Sequence, residues 1–380
     1  MEKICDKKFC VGCGACNSIC PVKCISMRED MEGFFYPEID TKRCKNCGAC
    51  VSVCPGRRQE NVKVEAKFLT KALSAQNKST DERMMSSSGG VISLMAKNII
   101  TEGGIVFGAA FSSDCRKVQH IEISKLEDIG KIRGSKYIQS EIGGCYEAIK
   151  KHLDKGKKVL FIGTPCQVAG LRFFLKREYQ NLILVDFVCH GVPSPSVWRE
   201  HIMEVEKQNQ AQIISVNFRL KEPEWRDYSI KYSFSDSKQI TRSCRKDMFI
   251  IGYLSNLYLR ESCEVCRYKG ENRYSDITVA DHWGVWDIAK EMDDKKGTSL
   301  LVIHTEKGRN LLEKIKPDIR FIVTDLDKAI QYNLSYVNQA TASKYRRWFF
   351  RSFRRRGYSR TMRYFSIIRI FERIKNRFHL

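Results

Sequence analysis

The sequence predicts an α+β and α/β chain in three parts: a small cysteine-rich domain, a larger domain on a mixed sheet, and a basic helical tail. Three observations carry this. A cysteine pattern that begins at Cys10 begins again at Cys44, an offset of 34 that holds for every member. From Ile142 to Glu206, apolar patterns of helical and strand period alternate, as they do in a partly parallel sheet. Between Thr341 and Leu380, thirteen Lys or Arg stand against the single acid Glu372, and this stretch supplies most of the chain's net charge of +22. With 380 residues the chain can hold two or three domains. The expected boundaries are residues 1–60 for the cysteine-rich domain, 61–80 for a linker and first strand, 81–338 for the α/β domain and 339–380 for the tail.

In the first part, Cys10-x2-Cys13-x2-Cys16-x3-Cys20-Pro21 is repeated as Cys44-x2-Cys47-x2-Cys50-x3-Cys54-Pro55. Three thiolates on one short turn can hold three irons of a cubane, and the fourth cysteine, opening the next helix, points at the other cluster. The expected ligand sets are therefore crossed: Cys10, Cys13, Cys16 and Cys54 for one 4Fe-4S cluster, Cys44, Cys47, Cys50 and Cys20 for the second. Gly14 and Gly48 allow left-handed backbone angles and a close pass of the chain by sulfide. Pro21 and Pro55 stop the chain from running on as helix. Gly33 to Asp40 reads as part of the hairpin that closes a small two-cluster bacterial ferredoxin domain. A zinc ribbon uses paired cysteines, and a disulfide framework suits a short secreted chain. The first residues contain no apolar targeting segment, so a reducing, cytoplasmic setting is expected. Cys5 and Cys24 lie outside the repeat and read as free thiols.

Phe68 to Ala75 could open the second sheet. Met84 to Met95 then brings three serines and two glycines directly into an apolar helical pattern, which suits either an anion-binding helix start or an ordinary serine cap. Strands are expected at Gly103–Phe111 and Val118–Ile123. Gly134-Ser-Lys-Tyr137 combines a hydroxyl, a cation and an aromatic ring, fit for a nucleotide's phosphate and ring or for a plain surface turn. Next come a helix (Ile142–Asp154), a strand (Lys158–Gly163), a loop with Cys166, a helix (Val168–Lys176), a strand (Leu182–Phe187), a loop with Cys189 and a helix (Pro195–Glu206). In a parallel sheet the loops after strand ends share one edge, which would bring Cys166 and Cys189 together. Cys166 also precedes a helix, whose dipole favours thiolate. Strands at Ile213–Leu220 and Tyr228–Ser233 precede an apolar run, Met248–Leu259, which is too short to span a bilayer and is expected as a buried helix.

Cys263-x2-Cys266 ends that run, ahead of a strand in Asp276–Gly284. Together with Cys166 and Cys189 it makes four thiols, enough for a cubane, a zinc ion or a redox pair with two neighbours. Cys115, Cys145 and Cys244 have no partner at ligand spacing and read as packing residues.

Six segments taken together resemble the beta subunit of coenzyme F420-reducing hydrogenases and dehydrogenases. They are Ser87-Ser-Gly-Gly-Val, Gly134-Ser-Lys-Tyr, Phe161 to Arg172, Val188 to Ser194, Cys263-x2-Cys266-x-Tyr-Lys-Gly and Asp276 to Gly284. The resemblance runs in order over roughly residues 70 to 335, and the same superfamily includes plant chlorophyll-pathway reductases. It implies a mixed-sheet α/β flavin and Fe-S domain, with FAD held beside a third 4Fe-4S cluster. By match of motif, Ser87, Ser88, Gly89, Gly90, Gly134, Ser135, Lys136 and Tyr137 would contact FAD. Cys166, Cys189, Cys263 and Cys266 would hold the cluster. No GxGxxG or Walker A loop is present, so any nucleotide must be held in another way. His190 and His282 are candidate proton donors or core histidines. Trp283 and Trp286 could stack on a flavin or simply pack.

In the tail, Tyr364, Ile367, Ile368, Phe371, Ile374 and Phe378 fall on one helical face, with arginines elsewhere around it. Such a helix can lie on an anionic membrane surface at the inner face of the membrane, meet an acidic partner, or pack on its own domain. Nucleic acid is not expected, since no recognised module accompanies the charge. The function expected is that of an iron-sulfur flavoprotein oxidoreductase. It would take electrons from a redox partner protein, such as reduced ferredoxin or flavodoxin, or return them. It would exchange hydride with a small-molecule donor or acceptor, either the deazaflavin or an organic, sugar-related molecule. Chains with this fused ferredoxin resemble those associated with surface polysaccharide biosynthesis. The alternative is an electron carrier or redox sensor with no flavin chemistry of its own.

Overall fold

A computed structural model describes residues 3–57 and 71–378, with backbone alone for Lys71 and beyond residue 370. The expected linker over 61–70, and Phe68 with it, lies outside the described residues. Two short helices, Ala15–Ile19 and Ala49–Ser52, each begin on a glycine in the left-handed region, Gly14 at φ 75° and Gly48 at φ 73°. Between them β1 (Ile25–Glu29) and β2 (Phe35–Ile39) pair antiparallel, Ile25 opposite Ile39. This is the expected hairpin.

Eight strands build the large sheet: β3 (Lys71–Asn77), β4 (Ile105–Phe111), β5 (Val118–Ile123), β6 (Val159–Ile162), β7 (Leu182–Phe187), β11 (Ile277–Asp281), β12 (Ser299–Ile303) and β13 (Ile319–Asp325). Their order is β13-β3-β12-β11-β7-β6-β4-β5. The four strands β11, β7, β6 and β4 run parallel to their neighbours within that block, and the outer strands pair antiparallel. Such a mixed sheet buries both faces of its centre, which is why β6 and β7 are nearly all aliphatic. β8 (Ile213–Leu220), β9 (Ser229–Phe234) and β10 (Gln239–Ser243) form a separate antiparallel sheet.

Several elements differ from the sequence reading. The helix expected from Val168 begins at Pro165, because Thr164 caps it and Pro165 supplies a φ already suited to a first turn. The apolar run at Met248 is helical only to Leu254; Asn256 turns left-handed at φ 54°, and Leu259 pairs instead with Pro193. The tail is one helical stretch, Arg346–Phe378, broken at Gly357. The two halves fold back on each other, with Ser352 Oγ 3.0 Å from Thr361 Oγ1 and the Tyr345 ring against Phe365. Phe349, Phe350, Tyr358, Met362 and Phe365 are buried in a core shared with Trp198, Phe218 and Phe249. Tyr364, Ile367 and Ile370 stay exposed. Among the described residues, no helix is long and apolar enough to cross a membrane.

Candidate iron-sulfur and flavin site

The duplicated motif closes around two cavities. One is lined by Cys10, Cys13, Cys16 and Cys54 together with Cys5. The other is lined by Cys44, Cys47, Cys50 and Cys20 together with Cys24. The crossed grouping expected from the spacing is the grouping that surrounds each cavity. Apart from the cysteines, the walls are mostly glycine, proline and aliphatic residues, a dry surround for polarisable sulfur.

The two cradles sit in different surroundings. Around the second, Cys47, Lys42, Arg43 and Lys45 are exposed. The first is enclosed by the α/β domain. Arg260, fully buried, donates from Nε to the Cys10 carbonyl at 2.8 Å and from its terminal nitrogens to Gln139 Oε1 at 2.9 Å and the Phe35 carbonyl at 2.9 Å, with Nη2 3.7 Å from Cys10 Sγ. Gln139 in turn donates to the Val11 carbonyl. Gly12, at φ 67°, lies against both side chains, and a Cβ there would come within 2.6 Å of Gln139. Helix Pro165–Leu175 approaches from the other side: a Cβ on Gly170 would stand 2.9 Å from Cys13 Sγ. Sequence reasoning missed Arg260 and Gln139, since an Arg beside a CxxC looks like any surface charge.

The third set assembles at the sheet edge. Because β6 and β7 are parallel neighbours, the loops after them leave side by side and carry Cys166 and Cys189. The short turn Glu261–Cys263 brings the CxxC to them. Cys166 and Cys263 each respond electrostatically to Cys189 and Cys266. Val192 N donates to Cys263 Sγ at 3.4 Å, Thr164 Oγ1 lies 3.2 Å from Cys166 Sγ, and Lys269 Nζ holds the Cys189 carbonyl at 2.7 Å. Arg273, fully buried, pairs with Asp186 of β7 at 3.2 Å and secures the segment after the CxxC. Burial, and then the neighbouring Cys266, pushes the Cys166 thiol up to about 12. Burial likewise raises Cys189 and Cys263. Among the described residues, no three His, Cys, Asp or Glu side chains close tightly enough to hold a single metal ion.

Tyr146 and Tyr268 stand between the first and third sets, each close enough to feel both Cys13 and Cys166. Tyr146 donates to the Gln167 carbonyl and Tyr268 to the Pro55 carbonyl.

Beyond the third set lie the two serine and glycine segments. Ser135 N donates to Ser87 Oγ at 2.7 Å, so the structure brings these segments together. Ser88 Oγ donates to the Thr298 carbonyl, and Gly89 N to Ser299 Oγ. Gly90, left-handed at φ 79°, opens helix Val91–Thr101, and Gly134 turns left-handed at φ 83°. Lys136 folds its ammonium onto the Arg133 and Gly134 carbonyls, and burial pulls it down to about 7. The Tyr137 ring lies 5.1 Å from Tyr253, which borders Cys189 and Cys263, while its hydroxyl accepts from buried Arg219 at 3.2 Å. Lys221, equally unforeseen, threads under the loop and bonds the Arg83, Ser88 and Lys296 carbonyls.

His190 is bound to Asn256 at 2.6 Å and packs against Tyr253, beside the third set. His282 is fully buried on Ser74, and burial lowers it to about 4. Trp283 stacks on Trp225, and Trp286 meets Tyr332 edge-on. Cys115 is buried, and Cys145 Sγ donates to the His120 carbonyl.

Residues 156–329 match the family described as the C terminus of the coenzyme F420 hydrogenase/dehydrogenase beta subunit, and residues 9–57 match the 4Fe-4S dicluster domain. The coenzyme F420-dependent sulfite reductase of Methanocaldococcus jannaschii is 28% identical over 176 residues, covering 45% of this chain and 26% of the relative. An uncharacterized protein of the same organism is 30% identical over 206 residues, covering 47% of this chain and 56% of the relative. The chain thus spans about half or less of the length of these relatives. A chain of the F420-reducing [NiFe] hydrogenase complex from Methanosarcina barkeri superposes with a TM-score of 0.46 at 15% identity, over 74% of this chain and 100% of that one. Along the chain, a segment matching the 4Fe-4S dicluster domain thus stands ahead of one matching the C terminus of the coenzyme F420 hydrogenase/dehydrogenase beta-subunit family.

Proposed function

We propose that this chain is an iron-sulfur flavoprotein oxidoreductase. In this reading the two repeat cradles and the set Cys166, Cys189, Cys263 and Cys266 each hold a 4Fe-4S cluster, while the Ser87–Gly90 and Gly134–Tyr137 segments hold FAD. One observation carries it: Tyr253 and Tyr137 lie in contact between the third thiol set and the joined serine loops, so the groups either side of them would be close neighbours. The donor chemistry fits. Each set has four thiols, the number a cubane takes. When bound, the clusters supply single-electron transfer, and the flavin converts it into two-electron hydride exchange.

The chain's own residues order the sites. The second cradle reaches the surface at Cys47, the first is enclosed by Arg260 and helix Pro165–Leu175, and the third set, half-buried, lies against the tyrosine pair. A redox partner protein would therefore meet the chain at the Cys47 rim. Arg260 and Arg273 offset the negative charge that gathered thiolates bring, and buried Tyr146 and Tyr268 exclude water between sites. The coenzyme F420 relative favours a deazaflavin as the hydride partner, with a small organic molecule as the other candidate. The exposed face of Tyr364, Ile367 and Ile370, flanked by arginines, would rest on an anionic membrane surface in a reducing cytoplasm.

Anaerobic purification followed by iron and flavin analysis tests the reading. It requires about twelve irons and one FAD per chain. About eight irons with FAD would remove only the third cluster, whereas about eight without flavin would leave an electron carrier. Cys166→Ser should lose a third of the iron and keep the ferredoxin-type spectrum. For the tail, co-sedimentation with vesicles of anionic lipid should vanish on deletion of residues 344–380; equal pelleting of both forms rejects the membrane role.

A further inference from the structure

An offset of 34 makes Arg43 the counterpart of Phe9 and Lys45 the counterpart of Val11. In the first half these positions are covered. Val11 packs against the core built by Ile142, Tyr146 and Phe173, its carbonyl takes a hydrogen bond from Gln139, and the Arg267 guanidinium lies 4.9 Å over the Phe9 ring. In the second half the same positions are exposed cations, and exposed Lys42 stands beside them. Lys45 forms part of the cavity wall, whereas among the described residues the wall of the first cavity holds none with a charge. Cys47, two residues on, is the one exposed cysteine of the seventeen.

Solvation alone does not account for the change. Charges of mixed sign keep a surface wet equally well, yet from Thr41 to Arg57 the chain carries four Lys or Arg and no acid. The acid just before, Asp40, spends an oxygen on the Lys42 amide, and Arg43 is held beside the cavity by the Val22 carbonyl. Among the described residues, no carboxylate is paired with Lys42, Arg43 or Lys45. A patch of single sign raises a local potential, of the kind that steers an oppositely charged protein to one face. The loop is thus apolar where the α/β domain covers the repeat and cationic where the repeat is exposed.

We infer that Lys42, Arg43 and Lys45 around Cys47 form the docking face for a one-electron carrier protein whose own contact surface is acidic. The inference rests on the two-cluster reading above. One electron crosses per encounter: the carrier's centre loses it as the cluster of the second cradle gains it, or the reverse, and no bond is made or broken.

The test uses the full chain, loaded with iron without air and then reduced. Oxidation by limiting hexacyanoferrate, an anion, should slow as potassium chloride is added, and oxidation by tris(phenanthroline)cobalt, a cation, should not. Lys42→Glu with Lys45→Glu should slow the first reaction about ten-fold and leave the second as fast or faster. Lys97→Glu with Lys125→Glu, a reversal of the same size at exposed positions of the α/β domain, should change neither. An acidic flavodoxin, the protein probe, should bind the wild type at low ionic strength in surface plasmon resonance, with affinity about ten-fold lower for the Lys42 and Lys45 variant. Equal effects from the two pairs of reversals, or flavodoxin binding that is absent or indifferent to Lys42 and Lys45, overturn the inference. Either result with an iron-loaded wild type leaves the two-cluster reading standing, whereas a wild type without iron removes that reading itself. Should the glutamate variants fail to fold, Lys42→Gln with Lys45→Gln and the salt dependence of the wild type decide.

Discussion

Arg260 spends every nitrogen on the wall of the first cradle, reaching the Cys10 carbonyl, the Cys10 sulfur, Gln139 and the Phe35 carbonyl from one buried guanidinium. A lysine keeps the charge but not the fork, and a glutamine keeps neither. Arg260→Lys should therefore retain iron while broadening the signal of one cluster. Arg260→Gln should lower that cluster's reduction potential, since a nearby cation stabilises the reduced, more negative state. Potentiometric titration followed by EPR reads both, and an unchanged potential in Arg260→Gln refutes the role. Gly170 is the second sensitive residue. Gly170→Ala would drive a methyl against Cys13 Sγ, and overpacking of this kind costs about 1–3 kcal/mol, measurable as a lower melting temperature of the iron-loaded protein. These two residues also show where reading the sequence stops. The repeat cysteines announce themselves by spacing, but the positions of Arg260 and Gly170 against them emerge only when segments far apart in the chain meet.

Helix Pro165–Leu175 and the strands feeding it set the third thiol group. Gln167 Oε1 accepts from the Thr164 amide while Pro165 opens the first turn, so the side chain of Cys166 leaves the helix at a fixed angle. Thr164→Ala should cost about 1 kcal/mol and lower iron occupancy of the third set, leaving the other two intact. Iron analysis beside chemical denaturation separates the two effects. The alternation that predicts β6, the helix and β7 is plain in the residues, because nearly continuous aliphatic runs signal buried parallel strands. The outer strands β10, β12 and β13 escape such reading; β10 is short and half-exposed, and β12 and β13 owe their place to β3, more than two hundred residues earlier. Gly357 is visible as a glycine among arginines, but only its φ of 74° turns one long helix into a folded pair. Arg346 anchors that pair to Glu32 of the hairpin turn and to the Leu259 carbonyl. Removing one partner of this partly buried ion pair costs about 1–2 kcal/mol, so Arg346→Ala should lower the denaturation midpoint and loosen the tail to protease.

Across the molecule, four imidazoles are buried among the described residues, all in the α/β body. Desolvation lowers His120, His201 and His282 to about 4 and His304 to about 3, from an ordinary value of 6.5. The sign follows from proton counts: below 6.5 the unfolded chain takes up protons that the folded one refuses, so stability is full above that pH and falls as pH drops from 6.5 toward 4. Far-UV melting curves between these limits should show a steady decline, and a flat profile would contradict it. The twofold division into a cysteine-rich part and an α/β part was evident from residue patterns. The sealing of one against the other was not, because it depends on Arg260, Arg346 and the Gly33 turn, whose Cβ would strike Ser196.

Each cavity of the repeat takes three sulfurs from one half and the fourth from the other. Synthesis must therefore run past Cys54 before the earlier cavity has its full complement, and the later one depends on Cys20 already standing in place. With clusters bound as proposed, maturation would be a joint event, each chamber completed by a thiol of the other half.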